Sequence, residues 1–510
     1  LWPLRLLAVR RGDEVQQRPW ELLAAGSEGS PWRRVIDEYT GDPDRFHERH
    51  YNEFVTFLPF VQQFLYGEGR SRHGEASGSS MHVFRRDDVR AVRLLPRAGT
   101  ATLTLQVVHV DLYFFDDVDI VLLNVEVAAD DLSLREAQEI LYRFGRGYPS
   151  GWDATGEPLH SMAGVEWLDA QGRVLAGSDA QARDVFLAFV GEHRAPRIAS
   201  HWAFVLRPLV PDHSELEGAL RYRQIEYYRM PLMAYLAVDD PQALTRSDFV
   251  RLGLVTGAGD GALPFSEQHL ADFEQRHCYD RFWSDTGAAP RTRYLCCGHA
   301  LVVVGDARAE FFRCRDRGVL AQFRHQHFML FLIAHFQKAA LLMFSDRLVD
   351  ALKRLDVARP ASVRHFKRAI RHAYAGFLRF THRYWFHDVS EQAQVRALFH
   401  LCTTHLGLNA LHADHVVLEC AHRPADELHA FKDLRPEIGL GLGVIDIKST
   451  DVESADQVAR AIERAETVLG AGRVRYIHPD CGFWMLKRSI ADAKMRALRL
   501  GRDRFEGISA

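Results

Sequence analysis

HVVLE (415–419), IGLGLGVIDI (438–447) and RVRYIHPDCG (473–482) decide how this sequence is read. Each is a short apolar run that ends on a polar group: Glu419, Asp446 and Cys481 in turn. Helical patterns alternate with them. PADELHAFKDL (424–434) opens on Pro424, SADQVARAIERAETVLG (454–470) is amphipathic with Ser454 as cap, and a further helix runs over 484–500. Three βα units at spacings of roughly thirty residues predict a parallel α/β arrangement over 410–510.

In a βα barrel the reactive side chains stand at the C-terminal ends of the strands. A carboxylate (Glu419) and a thiol (Cys481) at such ends are suitable donors for zinc. A zinc ion there would hold a substrate thiol as thiolate at neutral pH and make it a nucleophile. Zinc takes four donors, so spacing alone leaves the site open.

The segments DHVVLECAHRPADE, GLGVIDIKSTDVES and RVRYIHPDCGFWML resemble the closing part of the cobalamin-independent methionine synthase family, over about the last hundred residues. The resemblance implies a TIM-barrel fold and methyl transfer to homocysteine from a folate, or in shorter relatives from a corrinoid. It also implies a zinc ion held by a His-x-Cys pair, a Glu and a final Cys. By that pattern Glu419 and Cys481 are the third and fourth ligands, and His400-Leu401-Cys402 is the triplet nearest upstream, inside a stretch that itself reads as helix. Asp446 and Ser449 match the family's D-x-x-S strand end. Lys448 stands where longer members place a proton-donating histidine, which points to the shorter relatives. Cys420, His422 and His478 lie near the same strand ends without family support.

Upstream the texture differs. ATLTLQVVHVDLYFF and DIVLLNVEV read as strands, SLREAQEILYRFGRG as a helix with a Ser133/Glu136 capping box, and GVEWLDAQGRVLAGS as a hairpin turning at 170–172. The reading is an α/β domain over 80–319, preceded by a poorly defined segment (1–79) that ends in the flexible loop GEGRSRHGEASGSS. Long helices follow over 320–409, with Ser390 as a cap and Gly407 as a stop, and suggest a stalk or a homo-oligomer interface. The overall class is α/β: a head, long helices, then three βα units like the last part of a barrel.

FFDDVDIVLLNVEV, QFRHQHFMLFLIAHFQKAALLMFSDRL and THRYWFHDVSEQAQVRALF resemble the cytosolic region of CorA-like divalent-cation transport proteins, over about 80–408. That family continues into membrane helices with a G-M-N motif; here methyltransferase-like sequence follows Gly407, so nothing would line a pore. Phe328–Phe344 carries His335, Gln337 and Lys338 in mid-run and reads as a buried helix, so no membrane insertion is expected. Asp116, Asp117 and Asp119 read as a hydrated-cation patch or a solvated turn, and the histidines of the helical part as scattered rather than clustered.

Composition excludes some classes. Lys and Arg (64) nearly balance Asp and Glu (67), which leaves no footprint for nucleic acid. Seven cysteines and an opening too quickly charged for a signal peptide suit a reducing cytosol, and the start at Leu1 reads as truncated. The expectation is a zinc-dependent, cytoplasmic, homocysteine-methyltransferase-like protein whose barrel is incomplete in this chain. The alternatives are a pore-less CorA-like protein and an inactive fusion.

Overall fold

In the computed structural model the chain divides into two units, Leu1–Leu408 and Asn409–Ala510. The structure describes residues 1–7, 10–11, 14–15, 18–25, 30–35, 48–67, 80–216, 220–259, 261–353, 355–356, 359–408, 415–421, 428–429, 431, 439–480, 482–483 and 486–508.

The first unit is built on strands β1 (Trp2–Leu6), β2 (Trp32–Arg34), β3 (Met81–Arg86), β4 (Ala91–Leu95), β5 (Leu103–Phe115), β6 (Val118–Ala128), β7 (Gly164–Leu168), β8 (Val174–Gly177), β9 (Val210–Pro211) and β10 (Arg221–Gln224). They form one sheet in the order β8-β7-β4-β5-β6-β1-β10-β9, with β3 pairing both β5 and β2. The long β5–β6 hairpin turns at Asp116–Asp117, where Asp117 adopts φ 61°. Its apolar residues serve both faces. Leu112, Phe114, Val121 and Leu123 pack with Trp2, Trp167 and Trp202, whereas Tyr113, Phe115, Ile120 and Leu122 face a second core. Burial on both sides explains why these strands read as apolar runs rather than strict alternation.

A smaller sheet comprises β11 (Leu232–Val238), β12 (Cys278–Phe282), β13 (Thr292–Cys296) and β14 (Ala300–Asp306), in the order β11-β14-β13-β12. Tyr294, Cys296, Leu301 and Val303 join the second core; Leu295, Val302 and Val304 face a third with Phe249 and Phe273. The helix Leu134–Arg143 opens on the expected capping box, with Ser133 and Glu136 each accepting from the other's backbone N–H. The β7–β8 hairpin closes through Asp169, whose Oδ1 accepts from the N–H groups of Gln171 and Arg173.

Three features depart from the sequence reading. The segment before residue 80 supplies a central strand: β1 is fully buried between β6 and β10. The expected loop over 67–80 lies almost wholly outside the described residues. The first long helix is interior rather than a stalk. Phe328–Lys353 packs on β6 and β1, and Leu330–Ala334, Phe336, Ala339, Ala340 and Met343 are fully buried inside this chain, while Leu342, Leu348, Val349 and Leu352 are exposed. The stretch Val319–Lys353 is long and apolar enough to cross a membrane, yet 67% of its most apolar window is buried in the unit's own core. Ser390 is not the cap of the helix Ala393–His405. It is buried, donates to Thr56 O and accepts from Gln392 N–H, while Gln392 holds the cap position.

The acidic turn carries ion pairs rather than an open cation patch: Asp116 with His82, Asp117 with Arg383, Asp119 with Arg347. Among the described residues no group of three His, Cys, Asp or Glu is placed to hold a metal.

The second unit holds β15 (His415–Glu419), β16 (Gly439–Ile445) and β17 (Val474–Pro479), with helices α1 (Ala455–Leu469) and α2 (Arg488–Phe505). All pairings are parallel, in the order β15-β16-β17. The helix expected over 424–434 lies mostly outside the described residues. Ser454 caps α1 in a box with Gln457, and the helix buries Val458, Ile462, Ala465 and Leu469. Where α1 and α2 meet, a Cβ on Gly501 would lie 2.4 Å from Val458 Cβ and 3.0 Å from Ala455 O. Gly501→Ala is therefore expected to cost about 1–3 kcal/mol in denaturant unfolding, by forcing the helices apart; an unchanged midpoint would show that the crossing yields freely.

Candidate functional site at the strand ends

The middle strand β16 explains the arrangement. Leu440, Leu442 and Val444 enter the core with Val458, Ile462 and Leu498. Gly441 and Gly443 alternate with them and strip the other face. A Cβ on Gly441 would lie 3.2 Å from Val417 Cγ2 and 3.4 Å from the His478 ring; one on Gly443 would lie 2.2 Å from Asp480 Oδ1 and 2.8 Å from Leu418 O. The glycines let side chains of the flanking strands close over the middle one.

Registers Glu419↔Gly443 and Ile445↔Pro479 bring Glu419, Asp446 and Asp480 to the same C-terminal end of the sheet. Asp480 latches that end. Its Oδ1 accepts from Cys420 N (3.0 Å) and Ala421 N (3.1 Å), and its own N–H donates to Ile445 O (2.9 Å). Sequence reasoning passed over Asp480 in favour of its neighbour; the clue was an acid inside P-D-C-G, directly before the candidate ligand. Asp480→Ala is expected to destabilise the unit by about 1–3 kcal/mol by stranding two backbone donors. Asp480→Asn keeps an acceptor oxygen and should retain most of the stability, so equal losses in both variants would contradict the latch.

Asp446 is buried. Its N–H donates to Glu453 Oε1 (2.8 Å) and its Oδ1 accepts from Lys448 N (2.7 Å). Ser449 Oγ accepts from Asp451 N (3.0 Å). Lys494 of α2, with no exposed surface, donates to Glu453 Oε2 (2.9 Å), Glu453 Oε1 (3.2 Å) and Asp451 O. The loop carrying Asp446, Lys448 and Ser449 is thus pinned to a helix by one buried ion pair. The Lys448 and Glu419 side chains are exposed.

Cys481 and His422 lie outside the described residues. Cys420 is half-buried. His478 Nδ1 lies 2.6 Å from Pro479 O, and its Nε2 is buried without a partner.

His400 and Cys402 do not form the expected ligand pair. Both lie in the helix Ala393–His405 of the first unit, where residues two apart point to different faces. His400 is exposed and meets Asp388 at 2.8 Å. Cys402 is fully buried with its Sγ 3.6 Å from Cys296 Sγ. The Cys296 neighbour and burial push the Cys402 thiol well above its usual range.

Residues 379–502 match the family model described as cobalamin-independent synthase, catalytic domain. The matched span begins upstream of the second unit and takes in His400 and Cys402. A methionine synthase of Thermococcus kodakarensis is 35% identical over 107 residues, which is 20% of this chain and 31% of that protein. A 5-methyltetrahydropteroyltriglutamate–homocysteine methyltransferase of Thermodesulfovibrio yellowstonii is 33% identical over 100 residues, 19% of this chain and 13% of the relative. A 2-hydroxypropyl-CoM lyase of Xanthobacter autotrophicus is 40% identical over 86 residues, covering 16% and 23%. A solved B12-independent methionine synthase from Shewanella, in complex with selenomethionine, aligns over 20% of this chain and 28% of that one, at 24% identity and a TM-score of 0.17. The chain therefore spans about a third or less of the length of these curated relatives.

Proposed function

We propose that residues 409–510 are the strand-end segment of a homocysteine-methyltransferase-like thiol site, with Glu419 and Cys481 as two ligands of a zinc ion. The observation that carries this reading is the convergence of Glu419, Asp446 and Asp480, the residue before Cys481, on one end of a parallel sheet. Two of the three curated relatives named above carry methionine synthase or homocysteine methyltransferase names, which favours homocysteine; the third carries a lyase name.

The fit to zinc is half complete. An exposed carboxylate at a strand end suits the ion, whereas the helix-borne His400 and buried Cys402 do not. When bound, zinc supplies a Lewis acid that keeps a substrate thiol ionised. Asp446, at the end of the central strand, suits the ammonium group of an amino-acid substrate, and Ser449 and Lys448 stand on the same pinned loop. The methyl donor, folate or corrinoid, would be held by strands that this unit does not supply, because three of a barrel's eight are present among its described residues.

Metal analysis of the dialysed full chain tests the ligand assignment. Bound zinc should fall in Glu419→Ala and Cys481→Ser and persist in His400→Ala. Zinc content equal in all four proteins, or lost only in His400→Ala, would overturn it.

A further inference from the structure

The first unit contains an open cavity, lined partly by charged side chains, that the methyltransferase reading does not use. It measures about 320 Å³ and is lined by Glu226, Tyr227, Arg229, His299, Lys338 and Leu342. Arg229 Nη2 donates to Leu254 O (2.6 Å) and Val255 O (2.5 Å), while its Nε is buried with no partner among the described residues. The Arg229 backbone bridges to Arg146, which sets two guanidinium-bearing residues side by side. Arg146 is buried, donates from Nε to Tyr142 O (2.8 Å), and lies over the rings of Tyr142 and Tyr228. Among the described residues neither arginine has a carboxylate partner.

The remaining charges do not balance them. Lys338 Nζ meets Glu226 Oε2 at 3.6 Å, and Glu226 Oε1 is buried without a partner. Lys338 is therefore matched by Glu226, whereas Arg229 and Arg146 have no carboxylate against them among the described residues. Burial raises the Glu226 carboxyl, which weakens even that compensation. Burial and then Arg229 draw Arg146 down to about 10. His299 is pushed down to about 3, by burial first and then by Arg229, Arg146 and Lys338, so all three cations act on its ring. Repulsion such as that between Arg146 and Arg229 is relieved by a bound anion, and guanidinium and ammonium groups are the usual recognisers of carboxylate and phosphate.

We infer that this cavity binds a small oxyanion of the carboxylate or phosphate class, held by Arg229 and Lys338 against the His299 wall, with Arg146 reinforcing the positive field behind. The volume lies at the lower end of the range of small-molecule pockets, which fits a compact organic acid or phosphate better than a nucleotide. Tyr227 and Leu342, both exposed, form the rim.

Titration calorimetry on the full chain tests this, with inorganic phosphate and succinate as separate probes at constant ionic strength. Saturable binding at one site per chain is expected for at least one probe, and which one binds identifies the source. Lys338→Met should weaken it at least ten-fold and Lys338→Arg by much less. Should Lys338→Met fail to fold, Leu342→Glu at the exposed rim gives the same reading, because it sets a carboxylate at the entrance without disturbing the core. No saturable heat from either probe at tens of millimolar would overturn the inference. So would binding that neither Lys338→Met nor Leu342→Glu weakens.

Discussion

Acidification below about pH 6.5 is expected to cost the first unit about 4 kcal/mol per pH unit, enough to unfold a domain of ordinary stability near pH 5. Three fully buried neutral histidines account for that figure, and His299, lowered to about 3, adds to it in the same direction. Burial lowers His201 to about 3 and His327 to about 4, and holds His335 well below its ordinary value, with Lys338 adding to the effect. In the unfolded chain each titrates near 6.5. Above that pH the ring is neutral in both states and contributes no pH dependence. Below it, the unfolded chain takes up protons that the folded unit refuses, so stability is lost as pH falls toward the folded values. Each group supplies about 1.4 kcal/mol per pH unit. Near-ultraviolet circular dichroism of urea unfolding at pH 7, 6 and 5 measures this directly. His327→Phe keeps the edge contact with Tyr294 and should remove about 1.4 kcal/mol per pH unit from the slope. A midpoint that stays level from pH 7 to 5 would contradict the account.

Lys494→Met should be the most damaging single substitution in the second unit. It strands Glu453, whose side chain is only 17% exposed, and frees the Asp451 carbonyl. Breaking a buried pair from one side costs about 3–5 kcal/mol; partial exposure of Glu453 places the expected loss near the lower figure. Adding Glu453→Gln removes the stranded charge yet leaves an oxygen for Asp446 N–H, so the double variant should recover part of the loss. The consequence reaches the site, because the 446–454 loop that positions Asp446 and Ser449 is held by this pair. A Lys494→Met protein that melts with the wild type would show that the loop is held otherwise.

Local signals were legible in the sequence where a single element carries them. The capping box at Ser133, the cap at Ser454, the hairpin closed by Asp169, and the strand ends at Glu419 and Asp446 each depend on residues within a few positions of one another. Features set by distant partners were not. The strand Trp2–Leu6 has no pattern that reveals its place; it is central because β6 and β10, more than a hundred residues away, flank it. The helix Phe328–Lys353 was legible as interior from His335, Gln337 and Lys338 in mid-run, but which sheets it packs on was not. Asp480 acts through the register of three strands, and Lys494 meets Glu453 across 41 positions. His400-Leu401-Cys402 matched a ligand pattern by spacing, but the helix turns its two donors apart and the core takes the thiol.

Cobalt substitution tests the central claim most directly. Cobalt(II) in a site containing a thiolate absorbs through sulfur-to-metal charge transfer, and a substrate thiol bound to the same ion adds to that absorption. The cobalt-loaded chain should show the band, gain intensity on addition of homocysteine, and lose both in Cys481→Ser while keeping them in Cys402→Ser. A band indifferent to homocysteine, or one that survives Cys481→Ser and disappears with Cys402→Ser, would contradict a thiol site at the strand ends of the second unit.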